Sequence, residues 1–196
     1  MLFKQYFIFL LVKILLIKIT IACLFFVPAL DLLTKVFVNS DLSYRFLCGG
    51  LLLFCLEQCK MAIIDLRDYF VVKTNIKYHN ISFYFTILCS TIALELIGFY
   101  YMYFYINIGA IITLISQLWF NSLAKIKINI FREQITIIPW GIEKRIGELI
   151  GAILGITLII LWSLNIYPLT MGFLMLTMMI AFLTIKYGLP MVMKNS

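Results

Sequence analysis

One acid stands well inside a long apolar run of this chain: Glu95, in "TIALELIGF". An intramembrane carboxylate is costly and is a candidate site by default, a proton or cation role being one option. It can stay neutral, snorkel outward or pair with Gln117. The stretch "INIGAIITLISQLWFNSLAK" spaces Thr113, Gln117 and Asn121 four apart, which makes one polar stripe on a helix. In lipid such side chains bond across helices for roughly 1 kcal/mol each; the sharper reading is a polar path or ligand contact. A denser group lies in "LEQCKMAIIDLRDYF", residues 56–70, with Glu57, Lys60, Asp65, Arg67 and Asp68. Continued as a helix, it puts all five on one broad face. "DLRD" is a D-x-x-D that could bind Mg²⁺ and a phosphate, but prenyl- and phosphatidyltransferases carry longer acidic motifs. Charge neutralisation at the wet end of a membrane helix explains most of the cluster, and the face remains a candidate cytoplasmic docking surface.

Other reactive residues converge less. Cys48, Cys55 and Cys59 share a helix face, yet Cys48 is about two turns from Cys55, too far for one small coordination sphere. The single histidine, His79, excludes a bis-histidine haem within the chain. Paired with Cys89 it would lack a third orienting group for nucleophilic catalysis. No phosphate loop, dinucleotide fingerprint or zinc motif occurs. The sequence thus predicts no metal, no cofactor and no catalytic residue.

Gly147, Gly151 and Gly155 recur every four residues in "GELIGAILGITLIILW". A G-x-x-x-G face lets two helix backbones approach closely. Packing within one bundle is the simple reading, and a homo-oligomer or partner subunit the other.

These residues sit in a chain of 196 residues, 64% hydrophobic and 13% charged, with mean hydropathy +1.06. A soluble domain is nearer half apolar and a quarter charged, and a chain this short could not hide the excess. The class is therefore all-α: an integral membrane helical bundle forming one domain over 1–196. A span needs about 20 apolar residues. Six candidates run 14–33, 42–64, 81–103, 106–124, 146–164 and 169–187, with cytoplasmic loops at 65–80 and 125–145. "FYYMYFYINIG" marks the third reversal through Asn107 and Gly109, and Pro168 can begin the last helix. In 125–141, alternation followed by the β-prone Ile135–Ile138 predicts a small hairpin around "FREQ", with Trp140 at the headgroups; a kinked extension of the fourth helix is the alternative.

Charge orients this bundle. With the N-terminus cytoplasmic, fourteen of the sixteen Lys and Arg fall on that side and only Lys35 and Arg45 on the other, a strong positive-inside bias. Both termini are then cytoplasmic. The first span is the weakest, interrupted by Lys13 and Lys18 and holding Pro28. The net charge of +7 fits orientation and anionic lipid rather than nucleic acid, for which no module is present.

The stretches "ALELIGFYYMYFYINIGAIITLISQLWFNSLA" (93–124), "PWGI" (139–142) and "GAILGITLIILW" (151–162) resemble small uncharacterised multi-pass membrane proteins of cyanobacteria and plastids. The resemblance implies a thylakoid-type or plasma-membrane setting and transfers no site residue. Three functions follow as expectations. The first is a non-catalytic accessory subunit or assembly factor of a larger membrane complex, with the lipid bilayer as its medium. The second is a small-solute or ion transporter using Glu95 and the Thr113/Gln117/Asn121 stripe. The third is a membrane enzyme with a cytoplasmic-face site at Glu57, Asp65 and Asp68.

Overall fold

A computed structural model describes residues 2–75, 81–124, 126–131 and 134–194. The order is α1 (Leu2–Val38), α2 (Leu42–Asn75), α3 (Ile81–Tyr101), α4 (Ile106–Leu123), β1 (Ile126–Phe131), β2 (Gln134–Pro139), a 3-10 turn (Ile142–Arg145), α5 (Ile146–Ser163) and α6 (Pro168–Lys194). Each of the six α-helices is long and apolar enough to cross a membrane. One end of the bundle carries the hairpin; the other carries the short connections after α1, α3 and α5.

Helices α2 to α6 form a ring, closed where α6 packs along α2; α1 lies outside it against α2 and α3. The core runs up the middle through Leu51, Cys55, Leu114, Ile159, Met175 and Met179, all buried.

Two helix pairs meet at glycines. A Cβ on Gly98 of α3 would stand 2.5 Å from Thr113 Cγ2 and 2.8 Å from the Gly109 carbonyl oxygen, and one on Gly109 of α4 would stand 2.5 Å from the Gly98 carbonyl oxygen. Gly109 therefore permits a close crossing from inside α4 rather than the reversal itself, which falls at residues 102–105. On the other seam, a Cβ on Gly172 of α6 would lie 2.5 Å from the Ser43 carbonyl oxygen of α2, and Gly50 faces the backbone of Met175 and Leu176. The G-x-x-x-G series behaves differently. Gly155 touches Leu114, whereas Gly147 and Gly151 face open space. Packing within the bundle accounts for one of the three.

Proline and cations explain several end contacts. Pro28 lies inside α1 and has no N–H to give the Leu24 carbonyl one turn back. The Tyr100 hydroxyl donates to that carbonyl at 3.2 Å. The last carbonyls of a helix have no partner within it, and cations are favourable there. Accordingly Arg45 donates to the Val36 carbonyl at 2.7 Å, and Lys35 donates to the Met102 carbonyl at 2.9 Å while pairing with Asp31 at 2.7 Å. Lys35 and Arg45, the two cations at the short-connection end, are thus engaged with helix C-termini.

The predicted loop 65–80 is corrected: α2 continues to Asn75, and residues 76–80, His79 among them, lie outside the described residues. At 34 residues and 1.5 Å each, α2 is about 51 Å long, well beyond the roughly 30 Å of a bilayer's hydrocarbon. It stays helical because the added turns have packing partners: Leu66, Tyr69 and Val72 are buried, and Tyr69 stacks on Phe85 at 4.2 Å. The predicted loop 125–145 contains the antiparallel hairpin, in register Ile126↔Pro139 to Phe131↔Gln134. Ile126 and Ile128 turn inward and Lys127 outward, and β1 lies against α2. Arg132 and Glu133 lie outside the described residues.

Gly109→Ala is expected to lower the thermal unfolding midpoint in detergent, at a cost of about 1–3 kcal/mol from overpacking. Gly151→Ala, which meets no neighbour, should leave the midpoint unchanged or raise it. Circular dichroism melts of the two variants check this; equal midpoints would refute the close crossing.

Candidate functional site

Polar side chains of three helices meet at Gln117 in the bundle interior. Its amide donates to the Glu95 carboxylate of α3 and to the Gln58 side-chain carbonyl of α2, the latter at 3.1 Å. Glu95 and Gln58 are both buried. One side chain of α4 thus ties three helices together. The other members of the predicted stripe do not cross between helices. Thr113 donates to the Ala110 carbonyl at 2.8 Å and Asn121 to the Gln117 carbonyl at 3.0 Å, both within α4. Thr113 instead turns its methyl toward Gly98. Interhelical bonding by this stripe therefore reduces to Gln117. Gln58 was not singled out from sequence; its signal was an amide about midway along α2, four residues after Phe54 and next to Glu57.

This polar centre is asymmetric. One turn toward the short-connection end, Phe54 and Phe99 pack with Phe25 of α1, with ring centroids 5.8 Å apart for Phe25–Phe99 and 6.0 Å for Phe54–Phe99. All three are buried, and they cap the centre with hydrocarbon. Toward the hairpin end the interior remains polar. Asp65 lies two turns from Gln58 on α2, half-buried, in the field of Arg145, Lys127 and Lys186 and of its like-charged neighbour Asp68. Arg145 is buried and donates to the Phe120 and Ile126 carbonyls, each at 3.3 Å, which fixes the end of α4 to the start of β1. Tyr84 is buried, with its ring edge-on to Phe120 at 6.3 Å.

The five charges of residues 57–68 do not form one open face. Glu57 is buried and accepts from Lys186 of α6 and from the Tyr187 hydroxyl at 2.8 and 2.9 Å. The cation it pairs with is Lys186, 129 residues away, rather than its helix-spaced neighbour Lys60. Lys60 instead sits 3.6 Å above the Tyr187 ring. Arg67 pairs with the adjacent, buried Asp68 at 2.7 Å. Only Asp65 turns toward the hairpin-end interior. Glu57 and Asp68 are thus taken up by different cations, while Asp65 stays beside Asp68 without an ion pair among the described residues.

Among the described residues no three His, Cys, Asp or Glu side chains come together as metal ligands. Every cysteine is a free thiol; Cys55 points at the Phe25 carbonyl at 3.8 Å. At the short-connection end, an open cleft of about 650 Å³ is lined by Asp41, Ser43, Asn107, Trp162 and Asn165 among others. Asp41 caps α2 there, accepting from the Ser43 N–H at 2.9 Å, and Trp162 donates to the Ser43 hydroxyl at 2.7 Å. No family model, no curated protein and no solved structure matches this chain.

Gln117→Leu is expected to cost about 1–3 kcal/mol, because it leaves two buried acceptors without their donor. The double variant Glu95→Leu/Gln117→Leu should lose less than the sum of its single changes, since no carboxylate is left unpaired. Unfolding midpoints of the four-member cycle measure the coupling; strict additivity would mean that the amide and the carboxylate do not interact.

Proposed function

We propose that this chain is a multi-pass integral membrane protein without catalytic activity, acting as an accessory subunit or assembly factor of a larger membrane complex. Both termini and the hairpin face the cytoplasm, in a plasma membrane or thylakoid-type membrane. Orientation rests on the distribution of Lys and Arg, and the two cations on the far side have a separate reason to be there. The observation that carries the docking role is the outer face of α5. Gly147 and Gly151 meet nothing within 4 Å, and Ile150, Ile153 and Leu154 beside them are exposed. Backbone can approach such a face more closely than lipid tails pack against a side-chain-covered helix. The interior polar groups, by contrast, are satisfied within the bundle: no fully buried side-chain N or O atom among the described residues lacks a hydrogen bond.

A partner subunit or a second copy is expected to co-purify in mild detergent. Gly147→Ile/Gly151→Ile should abolish that association while leaving the unfolding midpoint of the isolated chain unchanged. Migration of the wild-type chain alone, at 22.8 kDa plus its micelle, would overturn the proposal.

A second reading, small-solute or ion transport, is favoured by one observation: the Glu95–Gln117–Gln58 centre is capped by phenylalanines on one side and continues as polar groups on the other. This is the form of a site reached from a single face. Uptake into proteoliposomes should then fall at least tenfold in Glu95→Gln. Uptake equal to that of wild type would remove this reading.

A further inference from the structure

Where the hairpin passes into α5, the chain makes an elbow with two kinds of surface. Trp140 follows β2 directly and is half-buried. Two ammonium groups approach its ring from different elements: Lys127 of β1 at 4.5 Å from the centroid and Lys144 of the 3-10 turn at 5.1 Å. Both lysines are exposed, and neither forms an ion pair among the described residues. An ammonium resting on an aromatic face keeps N–H donors free on its other side. Next to them Ile142 and Ile146 expose about half of their surface.

Three carboxylates are close enough to compete. Glu143 lies beside Gly141, Glu148 is one turn beyond Lys144 and in the field of Arg145, and Asp65 is in the field of Lys127. Counted over residues 125–148, five cations (Lys125, Lys127, Arg132, Lys144 and Arg145) outnumber the three acids Glu133, Glu143 and Glu148. The balance at this end of the molecule is positive, and it borders exposed hydrocarbon. That pairing matches a bilayer interface, where an indole sits at headgroup level with cations above it and alkyl side chains below.

The geometry points to a binding site for an anionic phospholipid at this elbow. Lys127 of β1 and Lys144 of the 3-10 turn hold the phosphate beside Trp140, and Ile142 and Ile146 lie against the glycerol and upper acyl chain. This rests on the membrane reading above, but not on the docking role of α5.

The test is fluorescence quenching in reconstituted vesicles. The chain has three tryptophans, so Trp119→Phe/Trp162→Phe leaves Trp140 as the reporter. If that background loses helicity, the difference between wild type and Trp140→Phe gives the same signal. Brominated phosphatidylglycerol should half-quench Trp140 at a mole fraction about tenfold below that of brominated phosphatidylcholine, as expected for two interfacial lysines. Lys127→Gln/Lys144→Gln should bring the two lipids to parity, while Lys127→Arg/Lys144→Arg should keep the preference. Equal quenching by both lipids in the unmodified elbow would overturn the site and leave the membrane reading intact. A preference that survives the double Gln change would also overturn it. Quenching by neither lipid would overturn the site and remove the elbow from the bilayer altogether.

Discussion

Where Gly172 faces the Ser43 carbonyl and Gly98 faces that of Gly109, two helix backbones lie too close for any Cβ between them. In a bilayer, helices gain little from hiding hydrocarbon from hydrocarbon, so close packing and a few polar bonds must supply the association. The glycine crossings provide the first and make the second possible. With α3 and α4 drawn together, the Gln117 amide reaches Glu95. With α2 and α6 drawn together, Glu57 reaches Lys186 and Tyr187. Longer spacing at either seam would leave a buried carboxylate with no donor.

A second theme is the placement of cations on backbone carbonyls. Arg45, Lys35 and Arg145 each end a helix that is not their own. Such a group satisfies carbonyls that the helix itself cannot, and it fixes the angle at which the next element leaves. Arg145 does this at the junction of α4 with the hairpin. The hairpin is thereby seated on the long overhang of α2, and it covers the mouth of the polar interior rather than hanging free.

The six helices were legible in the sequence because each carries an apolar run at least as long as a bilayer's hydrocarbon would require. The hairpin was legible too, since the alternation at 125–130 and the β-branched run at 135–138 are local signals. What the sequence misled on has a common cause. Residues 65–75 read as a loop because polar side chains end a hydropathy peak, but Leu66, Tyr69 and Val72 find partners on other elements that hydropathy does not register. Spacing singled out Gly147 and Gly151, which lie open, and passed over Gly50, Gly98 and Gly172, which form no four-residue series and do the close packing. Glu57 has Lys60 three residues away on its own helix, yet its cation stands on α6. Spacing along one helix says which side chains are neighbours there; it does not say which neighbour another helix will bring.

The ring closes between the second helix and the sixth, and this sets an order of events during synthesis. Helices α2 to α5 precede α6 in the chain, and until α6 emerges they make an open arc. In that interval Gly50 and the Ser43 carbonyl lack the backbone that packs on them, and Glu57 has neither its lysine nor its tyrosine. The unfinished protein therefore displays a bare carboxylate that the finished one conceals. Completion of the last helix removes that mark, so the same ion pair that holds the fold also separates a finished bundle from one still waiting to be closed.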